Sequence, residues 1–274
     1  MPPSQLEKAQ RFQALHAGPS AFVIPNPYDA GSAKMLAGLG FQALATSSGA
    51  SANVLGKRDG QVTRAEALAH AQAIVAATDL PVSADLEKCF ADTLAEIGET
   101  IRLAAATGLV GCSIEDATGD PARPLFALDE AAQRVAAAAQ AARALPFPFT
   151  LTARTENYLN GQPDLADTIR RLQAFEQAGA DVLFAPGLPD LAAVRAVVAA
   201  VGKPVNFVAS MPGKAFSVAE LAAAGVRRIS LGAALYRAAV GGMLAAAREA
   251  QAGTFGYLHQ ATPTAEINRL MRAD

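Results

Sequence analysis

Tryptophan is absent, cysteine occurs twice and histidine three times in 274 residues. Cys89 and Cys112 are too few for a disulfide framework, so a reducing cytoplasm is the expected compartment. His16, His70 and His259 fall on or near predicted helices, and no Cys/His group has zinc spacing. No stretch approaches the ~18 uninterrupted apolar residues of a membrane span. The opening "MPPSQLEKAQRFQAL" lacks the basic-then-apolar layout of a signal peptide and reads as an amphipathic helix. Neither sign of charge dominates: the net charge is −2 and there is no basic run, so nucleic acid is not an expected partner. What the chain has instead is apolar material, 51% of residues against 18% charged, enough for a sizeable core.

That material is arranged in a repeat. Eight short runs of strand character, "AFVI" (21–24), "QALAT" (42–46), "PVSAD" (81–85), "LVGCSIE" (109–115), "FTLTAR" (149–154), "DVLFA" (181–185), "PVNFVA" (204–209) and "RRISLG" (227–232), alternate with helical segments near 28–38, 63–77, 91–106, 128–143, 164–178, 189–200, 217–224 and 233–250. Most of the runs are continuously apolar, as parallel strands covered on both faces are. Odd-numbered strands follow prolines; even-numbered strands follow Gly40, Gly108, Gly179 and Gly225, which look like helix C-caps in a positive-φ conformation. Eight β-α units without a glycine-rich phosphate turn after the first strand predict a closed (β/α)8 TIM-type barrel rather than a doubly wound sheet. The expected organisation is one domain over 1–274, with an N-terminal helix and a C-terminal helical extension over 251–274. In that extension Thr262 or Thr264 is the candidate cap of a last helix, whose apolar side needs a surface such as a partner subunit.

In such a barrel, chemistry sits at the C-terminal ends of the strands. "VSADLEKCF" ends strand three in Asp85 and Glu87; spaced i, i+2, they share a face if the chain stays extended. Strand four ends in Glu115 and Asp116, and strand five in Arg154 and Glu156. A long loop after strand two carries Ser47, Ser48, Gly49 and Asp59, and strand seven carries Asn206. Two adjacent carboxylates repel unless a cation or a proton lies between them. Oxygen donors of this kind suit Mg2+, with Mn2+ as an alternative, held partly through water. Arg154 offers a planar fork to a substrate carboxylate, and the 47–49 turn offers backbone N–H groups to an anionic oxygen. Tyr28, Tyr158, Phe184 and Asn206 are candidate pocket-lining residues. The competing readings are plain ones: solvated acids at a strand end, an Arg154 that merely pairs with Glu115 or Glu156, and an Asp59 that serves the "RDGQ" turn. Cys112 reads as core, and Cys89 as an unactivated thiol.

The ordered set "PNPYDAGSAKMLAGLGFQALATSSGA", "ADLE", "SIED", "ARTE", "AGADVLFAPG" and "GVRRISLGAALYRAA" resembles the isocitrate lyase/phosphoenolpyruvate mutase superfamily from about residue 20 to 245, and its short bacterial members most. The resemblance implies a (β/α)8 barrel, Mg2+, a small 2-oxo carboxylate handled through an enolate-like state, and a homodimer or homotetramer that exchanges its last barrel helix. It implies Asp85 as principal metal-binding acid, with Glu87 and Glu115 in the metal shell and Asp59 orienting metal-bound water. Arg154 then grips the substrate carboxylate, while Ser47, Ser48 and Gly49 hold the carboxylate and oxo group.

The departures from the family pattern narrow the chemistry. The carbon–carbon lyases carry a "KRCGH" loop after strand four; here the stretch is "DATGDPARPLFALDE", without Cys, His or Lys, and Thr118 is its candidate polar side chain. The mutase-type gating loop is missing too. The expected function is therefore a Mg2+-dependent lyase that preferably decarboxylates an oxaloacetate-like acid, since that reaction needs no protein proton donor. The alternatives are phosphonopyruvate hydrolase or mutase-type C–P chemistry, and a barrel that binds a 2-oxo acid without turning it over.

Overall fold

The computed structural model describes residues 1–271. Eight parallel strands run β1 (Phe22–Ile24), β2 (Leu44–Ala45), β3 (Val82–Asp85), β4 (Gly111–Glu115), β5 (Thr150–Arg154), β6 (Val182–Phe184), β7 (Val205–Val208) and β8 (Arg228–Ser230). They pair in the order β1-β8-β7-β6-β5-β4-β3-β2. The seam between β1 and β2 is bridged by the Ala45 N–H donating to the Pro25 carbonyl at 3.1 Å. The result is a nearly closed (β/α)8 barrel, with strands where the sequence predicts them.

Strand alternation sorts the side chains. Val82, Ala84, Cys112, Ile114, Leu151, Ala153, Leu183, Phe207 and Ile229 face outward into the main apolar core. The helices α4 (Arg64–Ala76), α5 (Leu94–Ala106), α6 (Leu128–Arg143), α7 (Leu165–Gln177), α8 (Leu191–Ala200) and α9 (Val218–Ala223) press Ile74, Ile97, Ile101, Val135, Leu172, Phe175, Val194 and Leu221 against them. Each fully buried Leu, Ile or Phe contributes about 1.5–3 kcal/mol. The residues between them in sequence face inward, and most of those are polar or charged. The glycines that precede the even-numbered strands hold φ of 86°, 92°, 102° and 89° at Gly40, Gly108, Gly179 and Gly225, so each turns the chain where an L side chain would be strained.

The N-terminal helix α1 (Gln5–Ala17) stoppers the base of the barrel. Ser4 and Glu7 form its capping box. Gln5 Nε2 donates to the carbonyls of Ala105 and Leu109 at 2.8 and 2.9 Å, and Lys8 Nζ to that of Thr78 at 2.9 Å. Phe12 is wholly buried among Phe22, Ile24, Ala43, Ala45 and Val110. Gly111 makes room for it: a Cβ there would lie 2.6 Å from the Thr150 carbonyl oxygen and 3.2 Å from the Phe12 ring.

Three expectations are corrected. The segment after β2 is not a long loop: α2 (Ala30–Gly38) precedes the strand, and a seven-residue helix, α3 (Ser48–Val54), follows it. Neither Thr262 nor Thr264 caps the last helix. That helix, α11 (Thr264–Leu270), begins after Pro263 with no side-chain cap. It also lies against its own chain, with Leu270 Cδ2 3.2 Å from the place of a Cβ at Gly38 of α2. The preceding long helix, α10 (Ala234–Gln251), has no buried residue either, and its first turn touches the barrel through Leu235 and Tyr236. Among the described residues no helix is long and apolar enough to cross a membrane.

Candidate active site

The strand ends bring most of the expected residues to one mouth. Asp85 closes β3 beside Ser113, its neighbour on β4, and Glu115 is in register with Arg154 on β5. Arg154 Nη1 lies 3.6 Å from Asp85 Oδ2 and 3.4 Å from Glu115 Oε2, and its Nε donates to Glu156. Asp85 itself is held on three sides. Its Oδ2 accepts the Ser48 N–H at 3.1 Å, its Oδ1 accepts the Ser113 hydroxyl at 3.2 Å, and its own N–H donates to Thr46 Oγ1 at 3.0 Å. Asp59 reaches the same place: a Cβ on Gly49 would lie 3.2 Å from its Oδ2, so glycine lets that carboxylate approach the start of α3.

The charge does not balance. Asp85, Glu115 and Glu156 surround one arginine, with Glu87 and Asp59 beside them. Burial, then the charges of Asp85 and Asp59, push Glu87 up to about 7. Burial pushes Glu115 well above its ordinary value; Arg154 opposes this, and Glu156, Asp85 and Glu87 reinforce it. Burial also works against the charge on Arg154, but Glu156, Glu115 and Asp85 outweigh it and hold the guanidinium protonated. Such an excess of oxygen donors calls for a further cation or for protons. No group of three Asp, Glu, His or Cys forms a ready-made cage among the described residues. The donor chemistry therefore fits an ion gripped by one or two carboxylates and otherwise by water, the habit of Mg2+.

The cavity at this mouth has a volume of about 190 Å³. Ser47, Ser48, Gly49, Asp59, Asp85, Arg154, Phe184 and Asn206 line it, as expected from the sequence. Ser113, Thr152, Ser230, Asn26 and Arg228 also line it and escaped the sequence reading. Their signal was present: inward positions alternate along each strand, and "RRIS" puts Arg228 on the inside. Leu159, Pro186 and Met211 add apolar wall. A larger groove of about 720 Å³ lies at the opposite end of the barrel, but its ionic pair Arg143–Asp181 is self-satisfied at 2.6 Å and no acid cluster lies there.

Several assignments change. Tyr28 does not line the cavity; its ring stands edge-on to Tyr236 at 5.5 Å, and its carbonyl is hydrogen-bonded to His70 at 2.8 Å. Tyr158 packs beneath Gly187 instead. Glu87 does not continue the extended alternation of β3, because its φ is +50°, and Cys89 and Phe90 follow at +63° and +50°. Three non-glycine residues in this region mark a strained loop of the sort found at functional sites. Asp116 faces away and ties β4 to β5, accepting the Thr155 hydroxyl, the Glu156 N–H and Arg171. Thr118 staples its own loop, donating to the Arg123 carbonyl at 2.5 Å, and plays no part at the mouth. Both cysteines are buried thiols, and burial pushes Cys89 up to about 12.

Comparison with known proteins agrees with this geometry. The family model described as phosphoenolpyruvate phosphomutase matches residues 12–251. An oxaloacetate decarboxylase of Chromohalobacter salexigens is 30% identical over 245 residues, covering 87% of this chain and 83% of the relative. A crystal structure of a candidate lyase/mutase from Burkholderia cenocepacia superposes with a TM-score of 0.96 at 54% identity, covering 98% of this chain and 97% of that one. A 2,3-dimethylmalate lyase of the PEP mutase/isocitrate lyase superfamily superposes with a TM-score of 0.86 at 26% identity, over 97% and 95% of the two chains. A phosphonopyruvate hydrolase, crystallised with oxalate and Mg2+, shares the fold with a TM-score of 0.85 at 23% identity, over 96% and 94%. The chain belongs to the phosphoenolpyruvate phosphomutase family, within the isocitrate lyase/phosphoenolpyruvate mutase superfamily.

Proposed function

We propose that this protein is a Mg2+-dependent lyase that acts on a small 2-oxo carboxylic acid, preferably by decarboxylating a β-keto acid such as oxaloacetate. The observation that carries the reading is the excess of carboxylates around Arg154, at a mouth where the β4–α6 loop supplies no Cys, His or Lys. Asp85 would hold the ion directly, Glu115 and Glu87 would hold it through water, and Asp59 would orient that water. When bound, the ion supplies positive charge beside the substrate's oxo oxygen. Arg154 and the Ser48 end of α3 orient the substrate over Asp85. The bond between C3 and the departing carboxylate breaks, its electron pair moves toward the oxo oxygen, and CO2 leaves. A proton from water then adds to C3. The apolar wall of Leu159, Phe184, Pro186 and Met211 favours loss of a carboxylate as neutral CO2, because it solvates the charged group poorly.

The family match gives C–P chemistry a claim as the second reading. A phosphoryl group in transfer needs polar and cationic groups around it, and that apolar wall offers none. The unburied α10 supports a homodimer or homotetramer, whose neighbour would cover it.

Turnover of pyruvate, oxaloacetate, 2-oxoglutarate, phosphonopyruvate and methylisocitrate, with Mg2+ and with EDTA, tests the assignment. Metal-dependent loss of oxaloacetate above the rate with free Mg2+ is expected, and an Asp85→Ala variant should abolish it. Faster turnover of phosphonopyruvate would install the second reading. Metal-dependent binding without turnover would make the barrel a binding protein.

A further inference from the structure

The loop after β3 holds a conformation that its own residues resist. Glu87, Cys89 and Phe90 keep positive φ without being glycine, which persists only where the surroundings over-determine it. Here the surroundings are donors on four of the loop's carbonyls. The Glu115 N–H of β4 donates to the Glu87 carbonyl at 3.1 Å. The hydroxyl of Thr100, wholly buried on α5, donates to the Cys89 carbonyl at 2.8 Å. From α6, Arg134 Nη2 donates to the carbonyls of Lys88 and Ala91 at 2.9 and 2.7 Å. One guanidinium nitrogen thus clasps the chain on either side of Cys89 and Phe90.

Arg134 is an expensive residue to place there. It is 3% exposed, its Nε has no partner, and among the described residues no carboxylate lies within 4.0 Å of it. Its guanidinium lies over the Phe126 ring at 4.3 Å. Burying a charge without a counter-charge costs stability, so packing alone does not account for an arginine at this position. It does not line the cavity either.

The inner side of the same loop does face the mouth. The Glu87 N–H donates to Asp85 Oδ1 at 3.4 Å, the oxygen that also accepts the Ser113 hydroxyl. The loop backbone therefore helps to fix how the Asp85 carboxylate is turned, and the turn at Glu87 decides where its own carboxylate stands. If the loop relaxed to negative φ, that N–H would swing away from Asp85.

We propose that Arg134 is a positioning residue for the metal site: from the helix layer it holds the 87–91 loop in its left-handed turn, and through the loop it sets the carboxylates of Asp85 and Glu87. This rests on the Mg2+ reading given above and names a residue on which that site depends without touching it.

The test measures the Kd of Mg2+ by calorimetry, without substrate, beside the Tm of each metal-free protein. Arg134→Met should bind Mg2+ about 10–100-fold more weakly, the usual cost of losing an outer support of a metal site. Arg134→Lys, which reaches the carbonyls without the fork, should lose less. Glycine takes up positive φ freely, so Cys89→Gly should recover part of the lost affinity in the Arg134→Met background, whatever it does to the Tm. A folded Met variant with a lower Tm but an unchanged Kd would make Arg134 a structural cation and overturn the proposal. An affinity loss that Cys89→Gly leaves untouched would overturn it too, since the effect would not pass through the strained turn. So would a chain that folds with neither Met nor Lys, because Arg134 would then be a determinant of the fold. If wild type binds no Mg2+, the metal reading itself has failed, a different result from wild-type binding that is indifferent to Arg134.

Discussion

The backbone N–H of Ser48 donates to the Asp85 carboxylate at 3.1 Å, so the helix after β2 and the end of β3 share one acid. With the Ser113 hydroxyl on the other oxygen, the Asp85 side chain is fixed before any ion arrives. Asp85→Ala is expected to remove the Mg2+-induced rise in Tm and to cost more than the roughly 10–100-fold typical of losing an outer-shell partner of a metal site. Thermal unfolding with and without Mg2+ reads the first effect and steady-state turnover the second. A variant that kept the Mg2+ shift would move the ion elsewhere.

Ser113→Ala leaves Asp85 in place but frees one of its oxygens. The expected result is a loss of Mg2+ affinity of about tenfold with the fold intact, the behaviour of a supporting hydrogen bond. Calorimetric titration of Mg2+ measures it, and an unchanged Kd would detach Ser113 from the metal.

His16 gives the stability of the barrel base a pH dependence. Burial first, then the charge of Arg228, drive its folded pKa down to about 3, against the hydrogen bond to the Phe12 carbonyl. Its unfolded value is about 6.5. Between those values the unfolded chain takes up a proton that the folded chain refuses. The contribution is therefore complete above about pH 6.5 and is lost as pH falls, by up to about 1.4 kcal/mol per unit. Urea unfolding at stepped pH should show His16→Gln with a shallower decline below pH 6.5 than wild type.

Gly111→Ala should destabilise the barrel by about 1–3 kcal/mol or more, because the new methyl meets the Thr150 carbonyl oxygen at 2.6 Å and that backbone cannot step aside. The midpoint of urea unfolding reads this, and a neutral result would mean the base of β4 yields more easily than its packing suggests.

The bare helix α10 predicts self-association. Met243 is 61% and Leu244 42% exposed on a helix with no buried residue. Sedimentation should give a dimer or tetramer, and Leu244→Glu should shift it toward monomer. A wild-type monomer at micromolar concentration would leave this face without a role in assembly.

The barrel was legible because its signals are local and repeated: proline before odd strands, positive-φ glycine before even ones, apolar runs between. The mouth was legible where acids end strands, at Asp85 and Glu115. What stayed hidden needed the third dimension. Helix α3 hides in "SGASANV", whose serines, glycine and asparagine are weak helix formers, and it is held by Asp85 and by His70 on Ser51 rather than by propensity. Glu87 looks like an alternating strand residue until its positive φ turns it aside. Arg228 follows a second arginine in "RRISLG", and alternation puts one of the two inside; which one it is needs the direction in which β8 faces.

Helix α1 has a consequence for traffic. With Phe12 sealed against Gly111 and lying under Arg228, the strands enclose a blind well instead of a tube. Whatever enters this well must leave by the same doorway, in turn. A ligand seated at the bottom, above Phe12 of α1, cannot leave until whatever sits above it has gone.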